Sequence, residues 1–208
     1  MRAKLLLAVL PLLLVGGWAA ATVEDLPEYF VARHPTALTF TVRQHGLRPL
    51  SGLQPSLEAV GRGSTVTAPA TPGREAGKYT ATLTLPDTGE WTITIHTGFM
   101  NNHTTLLPIR AIVSGSTPPA AVSDAERGRH LFVAKGCVMC HVYRGLSDRS
   151  IAVGPELTEL RLEPAFLTRF LADPPSVIPP KDGSGMPNLG LKTPEITALI
   201  AFLNRPQP

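Results

Sequence analysis

The chain has 208 residues, of which 43% are hydrophobic and 17% are charged, and its mean hydropathy is +0.10. These values exclude a disordered polyelectrolyte and a protein with many membrane spans, and the length suits one or two globular domains. The formal net charge is +3 at pH 7, and no run of basic residues suggests nucleic acid as a partner. The 21 prolines favour ordered modules joined by turn-rich connections.

The first 21 residues have the pattern of a secretory signal peptide. Arg2 and Lys4 precede an apolar run at residues 5–15, and the alanines at 19–21 suit a cleavage site. Such a run is too short to cross a bilayer, which takes roughly 20 apolar residues. We therefore predict an exported chain in the periplasm or another extracytoplasmic space, with an uncleaved leader as the alternative. Cleavage would leave 17 Lys and Arg against 16 Asp and Glu, a net charge of +1.

Threonine and β-branched residues dominate residues 37–113, where short alternating runs are separated by proline and glycine. Residues 79–85 and 91–95 alternate apolar and polar side chains on either side of a Pro-Asp-Thr-Gly turn, so we predict that they form a β-hairpin. Further strands are predicted at residues 38–42, near 57–60, at 65–67 and at 106–113. About six or seven strands are typical of an immunoglobulin-like sandwich.

Two patterns of glycine and aromatic residues in this segment resemble a known exported domain. Residues 77–85 read Gly-Lys-Tyr-Thr-Ala-Thr-Leu-Thr-Leu, and residues 89–93 read Gly-Glu-Trp-Thr-Ile. Over roughly residues 36–114 the chain is similar to YtkA-like (FixH-like) β-domains. The resemblance implies a small β-sandwich and little about activity, because one fold serves many functions.

Three potential metal ligands, His96, Met100 and His103, lie near the end of this segment. Imidazole and thioether groups suit copper in an oxidising compartment. Ordinary exposed or hydrogen-bonded residues at a strand end and turn would give the same pattern. Copper is therefore a second possible cofactor, and the spacing leaves the choice open.

A linker separates this segment from the rest of the chain. Residues 114–120 read Ser-Gly-Ser-Thr-Pro-Pro-Ala, a composition typical of flexible and semi-rigid connections. The predicted divisions are the leader at 1–21, a lead-in at 22–35, a β-sandwich domain at 36–114, a linker at 115–122 and a second domain at 123–208.

The chain has two cysteines, Cys137 and Cys140, and His141 follows directly. This is the attachment pattern of c-type haem, in which both thiols bond to the haem vinyl groups and the histidine binds iron. In an exported protein two cysteines would ordinarily form a disulfide. A thioredoxin-like redox pair needs a strand-then-helix setting, and a zinc site needs two further ligands. The spacing favours one covalent haem c.

The second axial ligand of such a haem is predicted to be Met186. It is the sole methionine after His141, and no further histidine follows. Its surroundings, residues 181–190, are rich in glycine and proline and are expected to form a loop. Met139 lies inside the attachment motif and is a poor candidate. A His/Met pair fills both axial positions, which favours electron transfer over oxygen activation.

Three helices are predicted in this part of the chain. Ser123 and Glu126 form a capping box at the start of the first helix, which ends at Gly136. An apolar stripe at helical spacing supports the last helix, which Pro194 helps to begin. The predicted helices lie at residues 123–136, 163–173 and 193–203, with prolines at 174 and 175 ending the second.

Residues 123–208 resemble a class I cytochrome c domain. The landmarks that carry the resemblance follow the family order: Gly128 with Phe132, the cysteine motif, the Gly-Pro-Glu-Leu run at 154–157, Met186 with Pro187, and the last helix.

What the resemblance implies about the site is specific. It implies thioether bonds at Cys137 and Cys140, with His141 and Met186 as the iron ligands. It also implies that the carbonyl of Pro155 accepts a hydrogen bond from His141. The first and last helices would cross at Gly128, near Phe202.

The expected fold class is therefore a two-domain β plus α protein: an immunoglobulin-like β-sandwich followed by an all-α class I cytochrome c domain. The expected function is one-electron transfer by an exported monohaem c-type cytochrome, with the β-domain as a docking module. Its partners would be redox proteins such as an oxidase, a dehydrogenase or another cytochrome. No catalytic residue and no small-molecule substrate is expected, and membrane contact would come through partners or an uncleaved leader.

Two other functions stay open at this point. The first is a copper-handling protein in which the haem is a redox partner of the metal. The second is a haem sensor or peroxidase in which Met186 dissociates to open an iron position.

Overall fold

The computed structural model describes residues 17–146, 150–181 and 185–205. In this part of the chain there are eleven strands and five helices. The strands are β1 (Ala19–Val23), β2 (Phe30–Val31), β3 (Pro35–Gln44), β4 (Arg48–Pro49), β5 (Ser56–Gly61), β6 (Ser64–Pro69), β7 (Thr71–Pro72), β8 (Lys78–Thr84), β9 (Gly89–His96), β10 (His103–Thr105) and β11 (Ile109–Ile112). The helices are α1 (Asp124–Ala134), α2 (Cys137–Cys140), α3 (Pro164–Ala172), α4 (Pro174–Val177) and α5 (Thr193–Leu203).

Two mostly antiparallel sheets enclose an apolar core. One sheet has the strand order β1-β3-β8-β7, with β4 paired to β3, and the other has the order β2-β11-β9-β5-β6, with β10 paired to β9. Phe40, Tyr79 and Trp91 are among the largest fully buried side chains of this core. Threonines alternate with them and face outward, because successive residues of a strand point to opposite faces.

The predicted β-hairpin of residues 79–85 and 91–95 is wrong. Both strands form with the expected apolar faces buried, but β8 pairs with β3 and β7, whereas β9 pairs with β5, β10 and β11 in the other sheet. Each strand buries its apolar face in the shared core, and residues 85–88 cross from one sheet to the other. The Trp91 indole N–H donates to the carbonyl of Asp87 at 3.0 Å and fixes this crossing.

The predicted fold class, a β-sandwich followed by an all-α class I cytochrome c domain, is also wrong. The described chain is mostly β, and its helices are short, from four to eleven residues. No separate all-α domain forms among the described residues, because α1 contacts β1 and β10 and the buried residues of the helices belong to the same core cluster as the strands.

The helices do not form a separate domain because the end of α1 packs directly against β1. A Cβ at Gly136 would lie 2.8 Å from the carbonyl oxygen of Ala21, so the helix end approaches the strand backbone directly. The Lys135 ammonium donates to the carbonyl of Glu24 at 2.6 Å, and the Thr22 hydroxyl donates to the carbonyl of Lys135 at 3.4 Å. These bonds attach the helical segment, which runs from α1 to α5, to the edge of the sheet at β1.

The predicted leader overlaps β1. Residues 1–16 lie outside the described residues, whereas Ala19, Ala20 and Ala21 are buried in β1 and pair with β3. Because these alanines were assigned to a cleavage site, the sequence interpretation contained neither this strand nor its contact with the helices.

The helix ends follow local chemistry. The Ser123 hydroxyl accepts the amide of Glu126 at 3.3 Å at the start of α1. Glu163 caps α3 with its carboxylate, which accepts two backbone amides at 2.9 and 2.6 Å. The helix α5 has the predicted range, Thr193–Leu203, and Lys192 is its N-cap. As predicted, the second helix ends directly before Pro174, with Asp173 as the C-cap of α3, and the two prolines also begin the short helix α4.

Candidate functional site

The Cys-x-x-Cys-His motif follows directly on the sheet-bound end of α1. Gly136 adopts the left-handed conformation with a φ of 78°, which ends α1 and begins the single turn of α2. The amide of His141 donates to the carbonyl of Cys137 at 2.9 Å and closes this turn. Cys137 and Cys140 are three residues apart on one helical turn, so their side chains lie on the same side.

Both cysteines are free, half-buried thiols, and Cys137 packs against the apolar core. Burial raises the pKa of the Cys137 thiol to about 12, and burial also raises the pKa of Cys140. Thioredoxin-like pairs depend on a lowered thiol pKa at the reactive cysteine. The setting of these thiols therefore does not resemble that of a redox-active cysteine pair.

The imidazole of His141 is held by the backbone of residues 154 and 155. Its Nδ1 lies 2.9 Å from the carbonyl oxygen of Pro155. Because a carbonyl only accepts, Nδ1 carries the proton and the lone pair of the neutral ring is on Nε2. Burial lowers the pKa of His141, which favours this neutral form. Metal-binding histidines are commonly oriented by such a bond.

Gly154 allows this close packing. A Cβ at this position would lie 2.4 Å from Cε1 of His141, a separation that no side chain tolerates. The amide of Gly154 also donates to the carbonyl of Cys140 at 2.9 Å. The loop that contains Gly154 is therefore bonded to the backbone of the motif and packed against the ring of His141.

Met186 lies in the loop between α4 and α5. It is half-buried and packs against the apolar core, as does Cys137. Residues 182–184 of the predicted loop lie outside the described residues. Other half-buried apolar side chains of the helical segment that pack against this core are Leu157, Leu162, Phe166 and Leu191.

A turn of the β-sandwich also reaches the motif. A Cβ at Gly46 would lie 3.8 Å from the Cys140 sulfur and 3.4 Å from the Trp18 ring. The Trp18 ring lies 5.8 Å from the ring of His45, whose amide donates to the carbonyl of Trp18 at 2.9 Å. Sequence reasoning did not find this contact, because the two sides are separated by about ninety residues and share no pattern.

The predicted copper ligands are partly brought together. His96 and His103 are direct partners in the β9–β10 pair, with ring centroids 6.0 Å apart. Met100 lies in the connecting turn with 66% of its surface exposed. Across the described ranges, no group of three or more His, Cys, Asp or Glu side chains is arranged to hold a metal ion.

A cavity of about 700 Å³ lies between the sandwich and the attachment turn. Strand β9, strand β10 and residues 106–108 form one wall, and α1, α2 and the following loop form the other. His103 lines the first wall, and Val133, Val138 and Met139 line the second. The two halves of the molecule thus face each other across an open space beside the cysteine motif.

Comparison with known proteins does not assign a family. No family model matches the chain, and no curated protein matches it. Among solved structures, it is similar to a superoxide reductase (neelaredoxin) from Ignicoccus hospitalis, with 17% identity, 45% of this chain and 80% of that chain covered, and a TM-score of 0.31. It is also similar to the CARDB domain of a Pyrococcus furiosus protein in complex with di-metal ions, with 13% identity, coverage of 46% and 89%, and a TM-score of 0.30.

Among the described residues, no helix has both the length and the apolar composition needed to cross a membrane.

Proposed function

We propose that this chain is an exported monohaem c-type cytochrome that transfers single electrons between redox proteins. The observation that carries the proposal is the Cys137, Cys140 and His141 motif, whose histidine is oriented by the Pro155 carbonyl at 2.9 Å. Two thiols on one side of a helical turn and a neutral imidazole next to them are the donor set that covalent haem attachment needs.

The described residues fit a haem in three respects. Cys137 and Cys140 would hold it through thioether bonds, and His141 would bind the iron through Nε2. Gly154 lets the backbone lie against the imidazole, which fixes the orientation of the ring. The half-buried apolar side chains that pack against the core, Met186 among them, would exclude water from the pocket. When bound, the haem supplies an iron that changes between the ferrous and ferric states.

Met186 would be the second side chain that holds the haem iron. Its thioether is half-buried against the same apolar cluster as Cys137. A thioether in this position favours the reduced form and raises the reduction potential. With His141 and Met186 both holding the iron, the protein would bind no substrate there and would exchange electrons with an oxidase, a dehydrogenase or another cytochrome.

The β-sandwich is the proposed docking module. Its turn at His45 and Gly46 contacts Trp18 and lies near the Cys140 sulfur. A redox partner that binds this side of the sandwich would approach the edge of the cysteine motif. The partner surface would therefore be formed jointly by the turn and the attachment helix.

The test is the absorption spectrum of the full-length, haem-loaded protein, reduced and oxidised, with and without carbon monoxide. The native protein is expected to be low-spin and not to bind carbon monoxide. Met186→Ala is expected to bind carbon monoxide, because the sixth iron position is then open. The matched control is Met139→Ala, which removes the thioether inside the motif and should leave the spectrum unchanged.

Covalent attachment is tested in the same preparations. Cys137→Ser combined with Cys140→Ser is expected to release all haem into acidified organic solvent, whereas the native protein retains it. Native protein that binds carbon monoxide would contradict the carrier function and support a sensor or peroxidase. Native protein that acquires no haem when made with the attachment machinery would contradict the proposal as a whole.

Export is part of the proposal, and β1 restricts where a leader can be removed. Cleavage after Ala21 would delete three of the five residues of β1, all of them buried and paired with β3. We expect the exported protein to retain Ala19, with cleavage after Gly17 as the nearest site with small residues. Intact mass of the secreted protein measures this. A mature chain that begins at Thr22 and unfolds at the same urea concentration as a chain beginning at Trp18 would contradict it.

A further inference from the structure

We propose that the His45 turn of the β-sandwich, formed by residues 44–47, covers the sulfur of Cys140 and raises the reduction potential of the haem held there. The inference rests on the proposed function, because the potential belongs to that haem. Gly46 is the positioning residue of the turn, and it acts through Cys140.

The backbone of the His45 turn has a defined shape. The amide of Leu47 donates to the carbonyl of Gln44 at 3.0 Å, and the two central residues, His45 and Gly46, have φ values of 52° and 72°. Positive φ at both central positions is typical of the type I′ turn, whose twist matches the strands of a tight hairpin. Gly46 is buried, whereas His45 and Leu47 are exposed. The hairpin of β3 and β4 therefore packs its glycine against the rest of the molecule.

Gly46 lies between an indole ring and a sulfur. A Cβ at this position would be 3.4 Å from the Trp18 ring and 3.8 Å from Sγ of Cys140, which are contact distances. Trp18 is half-buried, and its carbonyl accepts the amide of His45 at 2.9 Å. Glycine therefore lets the turn lie against Cys140, whereas a longer side chain would have to displace the ring or the sulfur.

Close packing at β1 keeps the cysteine motif beside the sandwich. A Cβ at Gly136 would be 2.8 Å from the carbonyl oxygen of Ala21, and Gly136 directly precedes Cys137. The Lys135 ammonium adds a bond to the carbonyl of Glu24 at 2.6 Å. The motif is thus fastened to the sandwich at its first residue as well as covered by the His45 turn at Cys140.

The cover at Cys140 has an electrostatic consequence. Cys137 packs against the apolar core, so the His45 turn supplies the cover at the other sulfur of the motif. Ferric iron carries one positive charge more than ferrous iron, and surroundings with less water disfavour the more highly charged form. Burial is one of the means by which a protein sets the potential of its haem. The turn would therefore hold the haem at a higher potential than the helical segment alone.

The experiment is a redox titration of the full-length, haem-loaded protein, followed by absorption at one pH and one salt concentration. Gly46→Asn is the test variant, because asparagine tolerates positive φ and its side chain would separate the turn from Cys140. At the potential where the native protein is half reduced, this variant is expected to hold about three times more ferric than ferrous haem, or a larger excess.

The matched control is Gly63→Asn in the turn between β5 and β6. Arg62 and Gly63 have φ values of 46° and 77°, so the backbone resembles that of the His45 turn. A Cβ at Gly63 would meet no atom within 4 Å. This variant is expected to keep the native potential.

The carbon monoxide test separates this inference from the proposed function. All three proteins are expected to be low-spin and not to bind carbon monoxide, so a fall in potential reports the surroundings of the haem and not the loss of Met186. An unchanged potential in Gly46→Asn, with the low-spin spectrum intact, would overturn the inference and leave the proposed function standing. An equal fall in both variants would also overturn it. Native protein that acquires no haem would contradict the proposed function and this inference together.

Discussion

Gly128→Ala is expected to lower the free energy of unfolding by about 3 kcal/mol, an unusually large cost for one added methyl group. At this position α1 crosses α5, and a Cβ would lie 1.9 Å from the carbonyl oxygen of Ala198 and 2.7 Å from Cβ of Phe202. A backbone carbonyl in a helix cannot rotate away, so the two helices would have to separate. The rings of Phe132 and Phe202, which meet at 5.5 Å, would then lose their contact.

The sign of the change in the free energy of unfolding tests whether the two helices are in close contact at Gly128. In an unhindered helix Gly→Ala stabilises by roughly 0.5–1 kcal/mol, because alanine loses less backbone entropy on folding. Urea unfolding of the full-length chain gives the comparison, with Arg129→Ala on the same helix as the control. Arg129 forms an ion pair with Glu126 at 3.3 Å near the surface, so its loss should change stability by about 0.5 kcal/mol or less. Gly128→Ala that is as stable as the native protein would show that the crossing is not close.

Local patterns predicted the strands better than their partners. Alternation at residues 79–85 and 91–95 located β8 and β9 and identified their buried faces, because period-two alternation depends on a single strand. It does not specify which sheet a strand joins. Two consecutive strands with apolar faces satisfy the same pattern whether they pair side by side or belong to opposite sheets, and here they belong to opposite sheets.

The leader and β1 show a similar ambiguity. Small apolar residues suit both a cleavage site and an edge strand packed closely against another backbone. Ala21 lies in such an edge strand, and its carbonyl oxygen is 2.8 Å from the position that a Cβ on Gly136 would take. That contact joins residues more than a hundred positions apart, so no local rule could predict it. The error in fold class follows from it, because a helical segment fastened to β1 is not an independent domain.

The candidate site likewise combines features that the sequence predicts with contacts that it does not. The spacing of Cys137, Cys140 and His141 is local and could be identified from the sequence alone. The bond between His141 and Pro155 was implied by the resemblance to class I cytochromes c, and the structure places these groups 2.9 Å apart. The approach of the His45 turn to Cys140 depends on how the sandwich and helices pack, and no spacing indicates it.

Lys135→Met is expected to lower the free energy of unfolding by about 3–5 kcal/mol, because it leaves a buried carboxylate without its counter-ion. The Lys135 ammonium lies 2.7 Å from Glu195 of α5, and the two side chains are only 3% and 10% exposed. The same ammonium donates to the carbonyl of Glu24 beyond β1 at 2.6 Å. One cation therefore joins α1, α5 and the sheet, immediately before the cysteine motif.

The control pair is Arg144 and Glu159, which lie 3.4 Å apart with side chains 73% and 76% exposed. Arg144→Met should cost less than about 1 kcal/mol, since water already solvates both charges. Lys135→Met combined with Glu195→Leu should be more stable than Lys135→Met alone, because the uncompensated charge is removed. Part of the loss of stability should persist in this double variant. The amide of Lys192, which donates to Glu195 at 2.9 Å, loses its acceptor, and the Glu24 carbonyl loses its donor. Urea unfolding measures all four chains; a cost for Lys135→Met no larger than that for Arg144→Met would show that this buried pair does not hold the helices on the sandwich.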